Sequence, residues 1–335
     1  MKKAAFLCSN ENAVNRIYSE DVKAKLSKEL EFPSEVITKS NIEKYSDYIN
    51  ECSYIFSTWG MFQMTKDEIA KYLKNTKIIF YGAGSVQAFA REYLESGIKI
   101  SSAWVCNGFP VAEVTVSQIL LAGKGYFRVV YDMKVNRDWR SAGRVSSNYK
   151  GNYKAKVGLI GAGAIGRKVI ELLKHFDVEI FIYDPYLTDG EANKLGAKKL
   201  TLEDMFSQCD VISNHAPNLP STENMINKTH FALMKDYSTF INTGRGQQIV
   251  ESDMIAELKA RPTITALLDV THPEPPNPGS ELYMLENVFL SPHIAGSIGN
   301  EVHRMAEEMY LEYKLFDAES KLNYEVTLSM LETMA

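Results

Sequence analysis

Arg245, Glu274 and His293 are the side chains best equipped for chemistry, and each stands in a short loop stiffened by glycine or proline. The loops are Ile241-Asn242-Thr243-Gly244-Arg245-Gly246, Thr271-His272-Pro273-Glu274-Pro275-Pro276 and Ser291-Pro292-His293-Ile294-Ala295-Gly296. Each follows an apolar run that reads as a strand (TFIN at 239–242, ITALLDV at 264–270, VFLSP at 288–292), so all three fall at carboxyl ends of strands, where open parallel sheets bind ligands. An arginine there can clamp a carboxylate or polarise a keto oxygen, a histidine can donate or take the proton that accompanies a hydride, and a glutamate can hold the imidazole. Together they suit reduction of a 2-keto acid. Taken singly, each has a plainer reading: a surface ion pair, a loop decoration, a packed ring.

A second constellation supplies the partner for that chemistry. Gly161-Ala162-Gly163-Ala164-Ile165-Gly166 opens directly after the strand KVGLI (156–160) and runs into the helical RKVIELLKHF. In this strand–turn–helix setting GxGxxG is a dinucleotide fingerprint, its pyrophosphate resting on the helix N-terminus. Asp184 closes the next strand, EIFIY (179–183), where a carboxylate accepts from ribose hydroxyls. Pro185-Tyr186 follow it with no cation for a 2′-phosphate, so NAD is favoured over NADP.

The elements that must position these residues alternate between strand and helix. From 156 to about 298 the runs KVGLI, EIFIY, VIS (211–213), TFIN, ITALLDV and VFLSP describe a doubly wound, Rossmann-type domain. Residues 1 to 106 show the same rhythm in AAFL (4–7), EVIT (35–38), YIFST (54–58) and KIIFY (77–81), with strand-end turns at Thr58-Trp59-Gly60 and Tyr81-Gly82-Ala83-Gly84. The α/β reading is two domains, each a parallel sheet flanked by helices: residues 1–106 with 299–335 form a flavodoxin-like substrate domain, into which the cofactor domain, 107–298, is inserted. A helix reads from 111 to 123 and another from about 298 to 313, the latter expected to return to the first domain.

Between them, 124–156 reads as a polar connection with nine Lys/Arg, two Asp and interleaved aromatics. A nucleic-acid surface and a subunit-packing arm both fit that composition, and the absence of a recognition fold favours the arm, hence a homodimer with neither nucleic acid nor membrane as partner. The 335 residues carry 37 Lys and Arg against 42 Asp and Glu, a net charge of −5, which gives no overall attraction to either polyanion. Four dispersed cysteines lack metal or disulfide spacing, no apolar run approaches a membrane span, and the N-terminal run is too short for a secretory signal, so no metal site and a cytoplasmic protein are expected.

GAGAIG, INTGRG, LDV followed by EPP, and SPHIAG, in this order and near these spacings, resemble the D-isomer-specific 2-hydroxyacid dehydrogenases. The resemblance extends back through Asn107 and Val111-Ala112-Glu113 and forward through Asn287-Val288, whereas the first hundred residues match only in layout. It implies substrate binding by Arg245, an acid/base role for His293 and its orientation by Glu274. It also implies that Asp269 faces the nicotinamide, that Thr243, Thr222 and His215-Ala216-Pro217 line the dinucleotide, and that backbone N–H groups of Ala83 and Gly84 hold the substrate carboxylate. Departures from the family pattern are Ser85-Val86-Gln87 after Gly84 and Thr271-His272 after LDV. Trp59 either gates the substrate or caps the core. The expected activity is NAD-dependent interconversion of a 2-keto acid and a D-2-hydroxy acid. Formate oxidation is disfavoured because the family then pairs the histidine with Gln, and an NAD(H)-sensing, corepressor-like module is the alternative outside catalysis.

Overall fold

Thirteen short strands, most of them runs of Ile, Val, Phe and Tyr, organise the described residues, 1–334 of a computed structural model. In chain order they are β1 (Lys2–Phe6), β2 (Leu30–Glu31), β3 (Tyr54–Ser57), β4 (Ile78–Tyr81), β5 (Lys99–Ser102), β6 (Ala155–Ile160), β7 (Val178–Tyr183), β8 (Lys198–Lys199), β9 (Val211–Asn214), β10 (Thr239–Asn242), β11 (Thr265–Leu268), β12 (Val288–Leu290) and β13 (Glu325–Val326). They form two sheets in two units, one of Met1–Gly108 with the segment from Ser297 onward, the other Phe109–Gly296.

In the first unit the sheet order is β13-β5-β4-β3-β1-β2, parallel except for β13, which runs antiparallel to β5. Without β13 this is the flavodoxin-like order. Residues of β3 and β4 are buried on both faces, as parallel sheets covered by helices require. Ile55 and Ile79 enter one apolar cluster, while Phe56 and Phe80 stack at 5.1 Å on the other face under Tyr313 of the helix Glu301–Glu319. On that helix Glu312 is fully buried and accepts from Ser101 Oγ (2.7 Å), Asn323 N (3.0 Å) and Tyr324 N (3.1 Å), bonds that steer the chain into β13. The run at 35–38, expected as a strand, makes only the single bridge Leu7↔Ile37; β2 lies earlier, because Ile37 alone of that run is buried.

The second unit is an all-parallel sheet, β12-β11-β10-β9-β6-β7-β8, whose strand order reverses beside β6 as in the Rossmann arrangement. Among the described residues one helix, Trp104–Gly123, is long and apolar enough to cross a membrane, but half of it is buried, with Ala112, Val116, Ile119 and Ala122 packed in the same cluster as Val157 and Leu159 of β6. It begins seven residues before the expected 111, running through Gly108 and Pro110, two residues that read locally as helix breakers. The expected polar connection is instead two helices, Tyr126–Asn136 and Trp139–Ser146, the second capped by Asp138, whose carboxylate accepts from Arg140 N and Ser141 N.

Candidate active site

The glycine turn after β6 has the shape a pyrophosphate needs. Gly161 sits at φ 96°, in the left-handed region, and a Cβ on it would lie 2.8 Å from the His215 carbonyl oxygen. A Cβ on Gly166 would lie 2.0 Å from the Gly161 oxygen, so only glycine lets the helix Ala164–Leu173 start this close to the strand. Gly163, its N-cap, offers no side-chain cap and has open space around it, leaving first-turn N–H groups for an anion. Ala164 and Ile165 form that first turn. Asp184 is half-buried beside it: one oxygen accepts from Ala162 N (2.7 Å) and the other from Tyr186 N (2.8 Å). The carboxylate thus anchors the turn while keeping lone pairs for a ribose.

At the ends of β9 and β10, His215 and Thr243 are buried against each other. The imidazole bonds Ser213 Oγ through Nε2 and Thr243 Oγ1 through Nδ1, both at 3.0 Å. Burial pushes its pKa down to about 3, so the ring is neutral, with one nitrogen donating and one accepting. Thr222 Oγ1 donates to the Pro217 oxygen (2.7 Å) and accepts from Leu219 N (3.0 Å), closing the loop that carries Ala216 and Pro217.

The three reactive residues converge in the same unit. His293 Nδ1 meets Glu274 Oε1 at 2.5 Å, leaving Nε2 without a partner among the described residues, and both side chains are solvent-accessible. His293 adopts φ 53°, unusual for a residue with a Cβ. Asp269 imposes it. Its backbone oxygen accepts from His293 N (2.9 Å), and its carboxylate, buried at the end of β11, accepts from Ser291 Oγ (2.6 Å), Ile294 N (2.9 Å) and Ala295 N (3.0 Å). The residue expected at the nicotinamide is therefore also the clamp of the histidine loop.

Glu274 lies between two cis prolyl bonds, His272–Pro273 and Glu274–Pro275. A Cβ on Gly246 would lie 2.0 Å from the Thr271 carbonyl carbon, so the arginine loop presses directly on the segment leading to Glu274. Burial lowers the guanidinium pKa of Arg245 while the charge of Glu274 raises it, an opposition that places the two in mutual electrostatic reach. The departures at 271–272 have local roles: Thr271 Oγ1 donates to the Pro273 oxygen (2.8 Å), and the His272 backbone bonds to Glu251, a carboxyl raised by burial.

Sequence reasoning missed Asn214, Asn242 and Gln248, all completely buried. Asn214 Nδ2 donates to Asn242 Oδ1 (3.0 Å) and Gln248 Oε1 (2.6 Å), and Gln248 Nε2 donates to the oxygens of Ala216 (2.7 Å) and Pro217 (2.8 Å). An Asn closing each of the apolar strands β9 and β10 was the available signal, whereas Gln248 offered none.

Candidate residues of the other unit stand in different circumstances. The Ala83 N–H, expected to be open to a carboxylate, is donated to the Tyr81 oxygen (2.8 Å) because the turn tightens after β4. Ser102 Oγ bonds the Ala83 and Gly84 oxygens at 2.9 and 2.8 Å, and a Cβ on Gly84 would lie 3.0 Å from Asn107 Nδ2. Trp59 packs on the core of its unit, with the Arg16 guanidinium 5.2 Å from its ring centre.

Comparison with known proteins adds to this geometry. Residues 117–295 match the family model for the D-isomer specific 2-hydroxyacid dehydrogenase, NAD binding domain. YoaD of Bacillus subtilis, itself assigned only provisionally as a 2-hydroxyacid dehydrogenase, is 36% identical over 172 residues, 48% of this chain and 49% of its own. The hydroxypyruvate reductase of Thermotoga maritima is 29% identical over 284 residues, 84% of this chain and 89% of its own. A phosphoglycerate oxidoreductase from Rhizobium etli shares the fold, with a TM-score of 0.83 over 99% of this chain and all of its own at 18% identity. The chain spans about half the length of the first of these curated relatives.

Proposed function

Since the chain belongs to the D-isomer-specific 2-hydroxyacid dehydrogenases, we propose that it interconverts a 2-keto acid and a D-2-hydroxy acid with NAD(H). The observation that carries the reading is the 2.5 Å contact of His293 Nδ1 with Glu274 Oε1, in one unit with the GAGAIG turn and Arg245. The residues present suit NAD: free N–H groups and open space at Gly163, Asp184 for the ribose, and Thr222, Thr243, Asp269 and His215-Ala216-Pro217 for the remainder. Bound there, the cofactor supplies or accepts the hydride.

The chain's own residues do the rest. Arg245 binds the carboxylate or the keto oxygen, and His293 delivers a proton from Nε2 to the keto oxygen while Glu274 holds the opposite nitrogen. In the reverse direction Nε2 takes the proton back. Of the two amides implied for the carboxylate, Gly84 is the better donor, because the Ala83 N–H is already spent inside its turn. The test is a panel of 2-keto acids followed by loss of NADH absorbance; NADH binding without turnover of any member would favour the sensor reading.

The same proposal covers assembly. Tyr126, Val130, Val135 and Trp139 project from the two helices at 126–146 with 49, 46, 53 and 80% of their surface exposed, a cost that covering by a second copy removes. Sedimentation at micromolar concentration should return a dimer; a monomer would refute this. Four free, buried cysteines accord with a reducing, cytoplasmic setting.

A further inference from the structure

The amide of Gln248 has all four hydrogen-bonding positions used and no exposed surface. Nε2 donates to the oxygens of Ala216 and Pro217, and Oε1 accepts from Asn214 Nδ2 and from the backbone N–H of Arg245 at 3.0 Å. The far side of Arg245 is fixed as well, since Asn242 Nδ2 donates to its carbonyl oxygen (3.2 Å) while Asn242 Oδ1 accepts from Gly244 N (3.0 Å). The arginine backbone is therefore held at both its N–H and its C=O by buried amides. One of those amides also grips the loop after β9. The single turn Gly246–Gln248, with Arg245 at its N-cap, adds only a long bond from Gln248 N to the Arg245 oxygen (3.4 Å), and it reaches neither the loop at 216–217 nor residues 243–244.

Buried polar groups of this kind tolerate one geometry only. Displacing the loop at 216–217 relative to Arg245 would leave at least one carbonyl or N–H unpaired away from water, which is costly. We infer that Gln248 is a positioning residue that fixes Arg245 relative to the dinucleotide-side loop at 216–217, so that a site organised on that loop is transmitted to the guanidinium that meets the keto acid. Asn214 and Asn242 complete the relay by setting the Gln248 amide and the Arg245 carbonyl. The inference rests on the function proposed above and goes beyond it, since Gln248 touches neither substrate nor cofactor in that reading.

The experiment compares the wild type with Gln248→Leu and with the double variant Asn214→Leu/Gln248→Leu. The double variant replaces both members of the 2.6 Å amide pair by apolar groups, which avoids stranding Asn214 and carries the test if the single variant does not fold. NADH affinity is read by fluorescence, and KM and kcat are read with the best 2-keto acid of the panel. KM for the keto acid should rise by about tenfold or more, and by clearly more than any loss of NADH affinity that follows from freeing Ala216 and Pro217, as expected for a loosened ground-state contact. A purely structural role would lower the active fraction, hence kcat, and leave KM where it was. Folded variants with an unchanged KM overturn the inference alone. A wild type that binds NADH but turns over no 2-keto acid removes the function reading, and the inference with it.

Discussion

At the residue scale, reactive side chains and their supports differ in how openly the sequence announces them. Arg245, Glu274 and His293 stood out because Gly and Pro mark their loops and apolar runs precede them; Gln248 did not, because nothing next to it shows that it will be buried. Replacing His293 by Asn should lower turnover by about two to four orders of magnitude while leaving NADH binding nearly intact, the range for losing general acid–base help. Stopped-flow turnover with a fluorescence titration of NADH checks this, and a loss under about tenfold would remove His293 from the proton path. Asp184 anchors Ala162 and Tyr186, and in the function proposed above it also faces a ribose. Asp184→Ser should therefore weaken NADH by about 1.5–3 kcal/mol and narrow its margin over NADPH. A wild type that prefers NADPH would contradict the carboxylate argument.

Elements were legible where the hydrophobic pattern is long and regular, and less so where local signals conflict with tertiary packing. TFIN at 239–242 is a strand as read, and β6, β7 and β9 fall within a residue or so of their apolar runs. The helix Trp104–Gly123 extends N-terminally past the 111–123 that its apolar pattern marks, across Gly108 and Pro110, and the helices at 126–146 have a composition that suits a surface connection equally well. The loop after β12 shows how one buried side chain substitutes for regular structure: Asp269 takes hydrogen bonds from Ser291, Ile294 and Ala295, and only with these in place does His293 hold φ 53°. Asp269→Asn turns one acceptor into an amide that faces donors, so the loop should relax, with about 1.5–3 kcal/mol lost in stability. Turnover should then fall well beyond any change in NADH affinity. Equal losses in both would place Asp269 on the cofactor alone.

For the whole molecule, burying polar groups near the ends of β9 and β10 has a consequence that reaches past catalysis. His215 is held neutral by burial, with a pKa of about 3 against an ordinary value of 6.5. Above pH 6.5 the ring is neutral in both folded and unfolded chains and contributes nothing to pH dependence. Below it the unfolded chain takes up a proton that the folded chain refuses, so stability falls as pH drops from 6.5 towards 3, at ~1.4 kcal/mol per pH unit. Between about pH 7.5 and pH 5 the share from this one ring is ~2 kcal/mol, a large part of the 5–15 kcal/mol that typically separates folded from unfolded. His215→Gln cannot titrate. Whatever stability it loses at neutral pH, its further loss on acidification should be smaller than the wild type's by that ~2 kcal/mol in urea unfolding. Carboxylates in the rest of the chain titrate alike in both proteins and cancel in the comparison. If the two proteins lose the same stability between those pH values, His215 is protonated in the folded chain, and a neutral ring bridging Ser213 and Thr243 is refuted.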